Sequence, residues 1–206
     1  IITNCQPGSI MFGGETSYVQ TTLVRCVNNT GTFNFGVGTP NGYSPVTIKN
    51  ISGTGSISIK ANQGAYSNPA AGLPANRLAR WWQIENPDGG ITNADLHFGY
   101  LQTDILGIEN SYKAYRIAGG TASMMTSTVN TFTNRQTAQN VTGFSDWTLA
   151  NLAPTAASVA VSGRVLTAKG RGISNARVSI TNANGETRTV QTNSFGHYRF
   201  TEIPVG

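Results

Sequence analysis

Asp95 and His97 stand two residues apart in Ala94-Asp95-Leu96-His97-Phe98-Gly99-Tyr100. In an extended strand the two share one face, with Leu96, Phe98 and Tyr100 on the other. Asp88, Asn86 and Asn93 come just before. Such a placement can serve a metal ion or a His–carboxylate pair. One firm carboxylate beside one histidine is a thin ligand set, so a solvated acidic turn is the plainer reading and no metal site is predicted. Asp104 and Glu109 flank Gly107 in the next segment. A glycosidase needs two acids facing each other across a cleft. These two lie close together on a loop without a partner framework, and ion pairing with Arg80 or Arg116 explains them better. Serines are plentiful, but none sits in a Gly-x-Ser-x-Gly elbow. Neither His97 nor His197 has a suggestive Ser or Cys nearby, so nucleophilic catalysis lacks support. No catalytic residue and no cofactor are expected.

Binding chemistry has more candidates. Trp81, Trp82 and Trp147, with Tyr100 and Tyr115, are the residue types of a sugar-stacking platform. Neighbours on a strand point to opposite faces, so one of Trp81 and Trp82 must be core. The other is either covered by a neighbour or exposed to a ligand, and core or interface is the stronger reading. Charge is unevenly placed. Residues 1–154 carry eight Lys/Arg and seven Asp/Glu, whereas residues 155–206 carry six and two. Arg164, Arg177 and Arg199 in that basic stretch could face an anionic polymer such as acidic polysaccharide or DNA. A solvated face is the plainer account. Cys5 and Cys26, the two cysteines of the chain, pair most simply as a disulfide in an oxidising compartment, with free thiols as the alternative. No His or Cys lies at zinc spacing around them.

The elements that position these residues read as strands throughout. Charged residues are 11% of the chain, against about 25% in typical soluble proteins, and Gly, Ser, Thr and Asn take their place. Apolar and aromatic residues still recur, which argues against disorder. Alternating runs appear at 9–12, 18–25, 32–38, 46–51, 55–60, 78–84, 94–100, 112–117, 127–132, 140–144 and 145–150, separated by turn residues. Residues 61–76, rich in Ala, Asn, Pro and Gly, read as a long surface loop. No segment has convincing helical periodicity, and no apolar run approaches the ~20 residues of a membrane span. The stretch 151–157 reads as a linker. The start at Ile1-Ile2-Thr3, without Met, reads as a mature product whose secretion signal has been removed.

The C-terminal segments Val161-Ser162-Gly163-Arg164-Val165, Gly170 to Ile180, Thr192-Asn193-Ser194-Phe195-Gly196-His197-Tyr198-Arg199-Phe200 and Ile203-Pro204-Val205-Gly206 resemble the carboxypeptidase regulatory-like domain, a small transthyretin-like or Cna-B-like sandwich. The resemblance implies further strands after the Pro-x-Gly turn, so the module is expected to be incomplete. Some Cna-B-like domains carry a Lys–Asn isopeptide bond. Lys169 is the one lysine of this segment and sits in a turn, which argues against that bond. A second resemblance covers roughly 32–152 and rests on 43–46, 80–84, 95–109, 115–117 and 144–149. It is to a β-sandwich module of large secreted bacterial proteins, which often bear adhesive modules.

The expected architecture is all-β, with a sandwich over 1–152 and an incomplete transthyretin-like sandwich over 158–206. In the latter, strands near 159–166, 176–182, 186–192 and 196–201 should turn Ala176, Val178, Ile180, Tyr198 and Phe200 inward. The expected role is structural: a secreted or cell-surface protein, a bacterial filament or adhesin subunit that self-associates. Two accounts of the open sandwich stand level: a strand from a neighbour, such as its free N-terminal segment 1–24, completes it, or the missing strands belong to a longer parent chain of which this is a fragment. The rival reading is a carbohydrate-binding accessory region of a larger secreted enzyme.

Overall fold

A computed structural model describes residues 3–9, 14–151, 158–181 and 187–204 and shows an all-β chain. Its contacts divide it into two compact units, 1–153 and 154–206. The expected linker at 152–157, the apolar run at 10–12 and residues 205–206 lie outside the described residues.

In the first unit the strands are β1 (Leu23–Val27), β2 (Phe33–Phe35), β3 (Gly38–Thr39), β4 (Gly42–Tyr43), β5 (Val46–Gly53), β6 (Gly55–Gln63) and β7 (Arg77–Glu85). They continue with β8 (Ile91–Gly99), β9 (Tyr112–Ala118), β10 (Thr121–Met124), β11 (Ser127–Asn130), β12 (Arg135–Val141) and β13 (Asp146–Asn151). One sheet runs β1-β6-β7-β13-β9-β10 and the other β11-β12-β8-β5-β2. The chain crosses from one sheet to the other between β1 and β2, β5 and β6, β7 and β8, β8 and β9, β10 and β11, and β12 and β13. The β5–β6 crossing is held at Gly53, where φ is +101° and an added Cβ would lie 2.0 Å from the Gly90 carbonyl oxygen. Asp88 pins the same corner by accepting from the Ser56 and Gly90 amides.

Alternation along each strand builds the core. In β7 Leu78, Arg80, Trp82 and Ile84 are buried, while Ala79, Trp81 and Gln83 are half-buried. Trp82 packs 5.0 Å from Phe98, and Phe98 5.6 Å from Trp147. Full burial of aliphatic and aromatic side chains contributes about 1.5–3 kcal/mol each. Strand β12 escaped the alternation rule because its inward Gln136 is polar, yet fully buried.

Two expectations need correction. The stretch 61–76 is not a plain surface loop. Strand β6 continues to Gln63, Tyr66 is 5% exposed, and Ala71 bridges Thr121 on β10. The segment thus lies over the outer face of the six-stranded sheet, where Tyr115 and Ile117 are buried outside the main core. The described part of the N-terminal segment is also held to its own unit at residues 5–7. Cys5 is bonded to Cys26, and Arg25 donates to the carbonyls of Gln6 and Pro7. Regular strand begins only at Leu23, with Val19 bridging Val37 before it.

The second unit has two two-stranded sheets. Strands β14 (Ser158–Arg164) and β17 (His197–Pro204) pair antiparallel, as do β15 (Arg177–Thr181) and β16 (Thr187–Gln191). Phe200 is 4% exposed. Val161, Ala176, Val178, Ile180, Val190 and Tyr198 are half-buried on the inward positions. Tyr198 lies over Gly163, where a Cβ would come within 2.5 Å of its hydroxyl.

Candidate functional site

The aromatic candidates separate by strand parity. Trp82 and Trp147 are fully buried, and the Trp82 indole N–H donates to the Ser44 carbonyl at 3.0 Å. Neither can stack on a ligand or serve an interface, because each fills the space between the two sheets. Trp81 points out of the six-stranded sheet, but Tyr66 meets it edge-on with centroids 5.1 Å apart. Its half-burial follows from the 64–76 segment, which sequence alternation does not locate. The three tryptophans form no shared platform.

The acids at 104 and 109 are structural. Arg80, fully buried, donates from Nε to Asp104 Oδ2 at 2.5 Å, from Nη1 to Thr39 Oγ1 at 3.0 Å and from Nη2 to Gln63 Oε1 at 2.9 Å. Gln63 Nε2 in turn donates to Asp104 Oδ1. Every face of the buried ion pair is met by a hydrogen bond, which offsets the cost of removing both charges from water. Glu109 accepts from the Tyr100 hydroxyl at 2.7 Å. Burial first, and then that carboxylate, push the Tyr100 phenol far above its ordinary value. The ion-pair expectation thus holds for Asp104 with Arg80. Arg116 is elsewhere, its guanidinium crowding Gly143.

Among the basic candidates, Arg164 and Arg199 lie on the outer face of the β14–β17 pair. Arg164 is opposite His197 and Arg199 opposite Ser162. Arg164 also donates to the Phe195 carbonyl at 2.7 Å. Arg177 belongs to the other sheet, opposite Gln191. The three arginines therefore do not form one surface as a triplet on a strand face.

The outer face of the five-stranded sheet holds the best-defined site. Asp95 and His97 do share it, as their spacing requires, but they do not act as a pair. Asp95 accepts from Asn50 Nδ2 at 2.6 Å and from the Asn140 amide at 2.8 Å. His97 Nδ1 meets Thr137 Oγ1 at 2.9 Å. Register aligns Asn34, Thr47, His97 and Thr137 across β2, β5, β8 and β12. Thr47 Oγ1 donates to Asn34 Oδ1 at 2.7 Å. Lys49 flanks this polar row on one side and Arg135 on the other. Thr32, Asn34, Thr47, Lys49, His97 and Arg135 line an open cleft of about 440 Å³. Among the described residues, neither Lys49 nor Arg135 has a carboxylate within ion-pair distance. Arg135 also borders a second cleft of about 490 Å³, with Glu15, Tyr43, Gly99 and Tyr100 on its walls. Burial first, then the positive charge of Lys49 and Arg135, hold His97 below its ordinary value, with Asp95 opposing. Among the described residues no three His, Cys, Asp or Glu side chains gather as a metal site.

Sequence reading missed Asn34, Thr47, Lys49 and Arg135 as a group. Each is an unremarkable polar residue on its own strand, and only the pairing register brings them together.

Residues 160–206 match the family model of the carboxypeptidase regulatory-like domain. No curated protein and no solved structure matches the chain significantly.

Proposed function

We propose that this chain is a non-enzymatic extracellular structural protein, a subunit of a bacterial surface filament or adhesin whose regulatory-like domain is completed by a strand from another subunit. The observation that carries the reading is the uncovered apolar surface of that domain. Phe200 is its one large hydrophobic side chain that is buried among the described residues, while Phe195, Leu166 and Ile173 are 68%, 45% and 38% exposed. Among the described residues each of its sheets has two strands, and each strand has an edge without a strand partner. An added strand would pair such an edge and cover apolar surface at about 25 cal/mol per Å². The Cys5–Cys26 disulfide supports an oxidising compartment. The resemblance of 32–152 to modules of large secreted bacterial proteins supports the bacterial setting. The tie of residues 5–7 to β1 through the disulfide and Arg25 favours a donor strand other than the N-terminal segment. Sedimentation velocity and electron microscopy of the purified chain test this. Association that grows with concentration is expected. A single monomeric species at every concentration sinks it.

A second reading, a carbohydrate-binding accessory region of a larger secreted enzyme, is favoured by the open polar cleft on the five-stranded sheet.

A further inference from the structure

We infer that the cleft between Lys49 and Arg135, on the outer face of the five-stranded sheet, binds a carboxylated or sulfated sugar residue of an acidic polysaccharide. The inference sharpens the second reading and is independent of the first, because the cleft lies wholly within residues 1–153.

The argument starts from charge. A cation on a β-sheet face is stabilised by an acid directly across the strand pair. Lys49 is directly opposite Asp95, which could have neutralised it. Instead Asp95 takes one hydrogen bond from the Asn50 side chain and one from the Asn140 backbone, and no ion pair with Lys49 forms. Arg135 is opposite Gly99, which offers no side chain at all. The sheet therefore presents two cations, on either side of a polar row, without using them for its own stability. Two positive groups bordering one opening suit an anionic substituent.

Hydrogen-bonding capacity points to a sugar. Thr47 occupies only the Oδ1 atom of Asn34, so the Asn34 Nδ2 donor remains for a ligand. Thr137 engages Nδ1 of His97 and leaves Nε2. With Thr32, the cleft offers amide, hydroxyl and imidazole partners to ring hydroxyls. Its volume of about 440 Å³ falls within the range of ligand sites. No Phe, Tyr or Trp lines it, so it lacks the extended stacking platform that single-stranded nucleic acid uses. The second cleft adjoins it through Arg135 and gives a polymer room to continue past Tyr43.

The charged groups facing His97 are Lys49 on β5, Asp95 on its own strand and Arg135 on β12. His97 is held below its ordinary value of 6.5, so near neutral pH it is uncharged. Protonation at lower pH adds a third positive group. A bound anion stabilises that form, so binding should tighten as pH falls through and below the ordinary histidine value.

The test is binding of polygalacturonate, dextran sulfate, neutral dextran and a short single-stranded DNA to the full chain, measured by affinity electrophoresis and calorimetry at pH 7.5 and 5.5. Polygalacturonate or dextran sulfate should bind, more tightly at the lower pH, and neutral dextran should not. Lys49→Gln with Arg135→Gln should weaken binding about tenfold, since exposed charge pairs are worth up to ~1 kcal/mol each. Arg164→Gln with Arg199→Gln should leave it unchanged. NMR titration of the wild-type chain keeps the test valid if a variant folds poorly: the acidic glycan should raise the His97 titration midpoint and leave that of His197 in place. Equal binding by neutral dextran, tighter binding by DNA, no binding by either anionic glycan, loss only in the Arg164/Arg199 variant, or an unmoved His97 would each overturn the inference.

Discussion

Trp82 and Phe200 are both inward aromatic residues on antiparallel strands, yet their settings differ. Trp82 is fully enclosed, stacked against Phe98, with its N–H satisfied by Ser44. Phe200 has Tyr198 at 6.0 Å and half-exposed aliphatic residues on the same face. In the N-terminal unit eleven strands in two sheets supply both walls of a core. That core can even hold Arg80 and Asp104, because hydrogen-bond partners reach them from β3, β6 and β7. In the C-terminal unit two strand pairs cannot enclose what they turn inward. Small sheets leave apolar surface wet, and the buried fraction falls as a unit gets smaller. The lesson is that the same period-two pattern yields a closed core or an interface, depending on how many strands stand behind it.

The largest expected effect breaks the closed core at its charges. Arg80→Ala should cost about 3–5 kcal/mol, because Asp104 would stay buried without its counter-ion. Replacing both residues by leucine should recover part of the loss. All three tryptophans lie in the N-terminal unit, so urea unfolding followed by tryptophan fluorescence reads this unit alone. A loss below ~1 kcal/mol would show the pair to be no more than a surface salt bridge.

Next comes the clamp on the N-terminal segment. The Cys5–Cys26 bond spans 21 residues, which corresponds to about 3 kcal/mol on the chain-entropy model. Cys5→Ser with Cys26→Ser should lower the unfolding free energy by about that amount, read as a lower urea midpoint at unchanged slope. Thiol labelling of the unreduced, denatured chain should find no reactive cysteine, and two labelled cysteines would refute the bond.

A smaller effect sharpens the contrast from the other side. Phe200→Ala should cost less than the ~3–5 kcal/mol of a fully enclosed phenylalanine, since less packing is lost where the site is half open. Chemical denaturation followed by the NMR signals of β14 and β17 would measure it. In parallel, Phe195→Ser should reduce the binding of a hydrophobic dye. Undiminished dye binding would place the exposed apolar surface elsewhere.

The smallest effects are in pH dependence within the first unit. Amides of Ser56 and Gly90 hold Asp88 below the usual carboxylate range. Its contribution is therefore present above the unfolded-state value and lost as pH falls through the folded one. Burial raises Asp146 instead, despite the hydrogen bond from Tyr66. Its contribution is present at low pH and lost as pH rises through the folded value. Asp88→Asn should flatten the acid limb of a midpoint-versus-pH curve, and Asp146→Asn should raise stability slightly near neutral pH. A reversed sign in either would mean the local hydrogen bonds are misassigned.

Much of the fold was legible residue by residue. Strands β5, β7, β8 and β9 follow their alternating apolar positions, and Trp81 against Trp82 had to split between faces. The 64–76 segment was not legible, because its covering role depends on Tyr66 reaching Trp81 on β7 and Asp146 on β13, and on Ala71 reaching β10, from a stretch without periodicity. Strand β12 was only partly visible, since Gln136 breaks the apolar alternation. Of the site, Asp95 and His97 could be placed on a common face from spacing alone. Their partners could not.

What the sequence determined by itself is the class of structure: many short alternating strands, a single possible cysteine pairing because there are two cysteines, and a C-terminal stretch carrying the regulatory-like pattern. These are local or compositional properties, set by a period of two and by turn residues. Tertiary structure alone decided that Arg80 and Asp104 close a buried network. It also decided that Lys49 and Arg135 flank one polar row while Asp95 turns to Asn50 and Asn140. Strand order and register are global, and they determine which residues far apart in the chain share a face of the sheet.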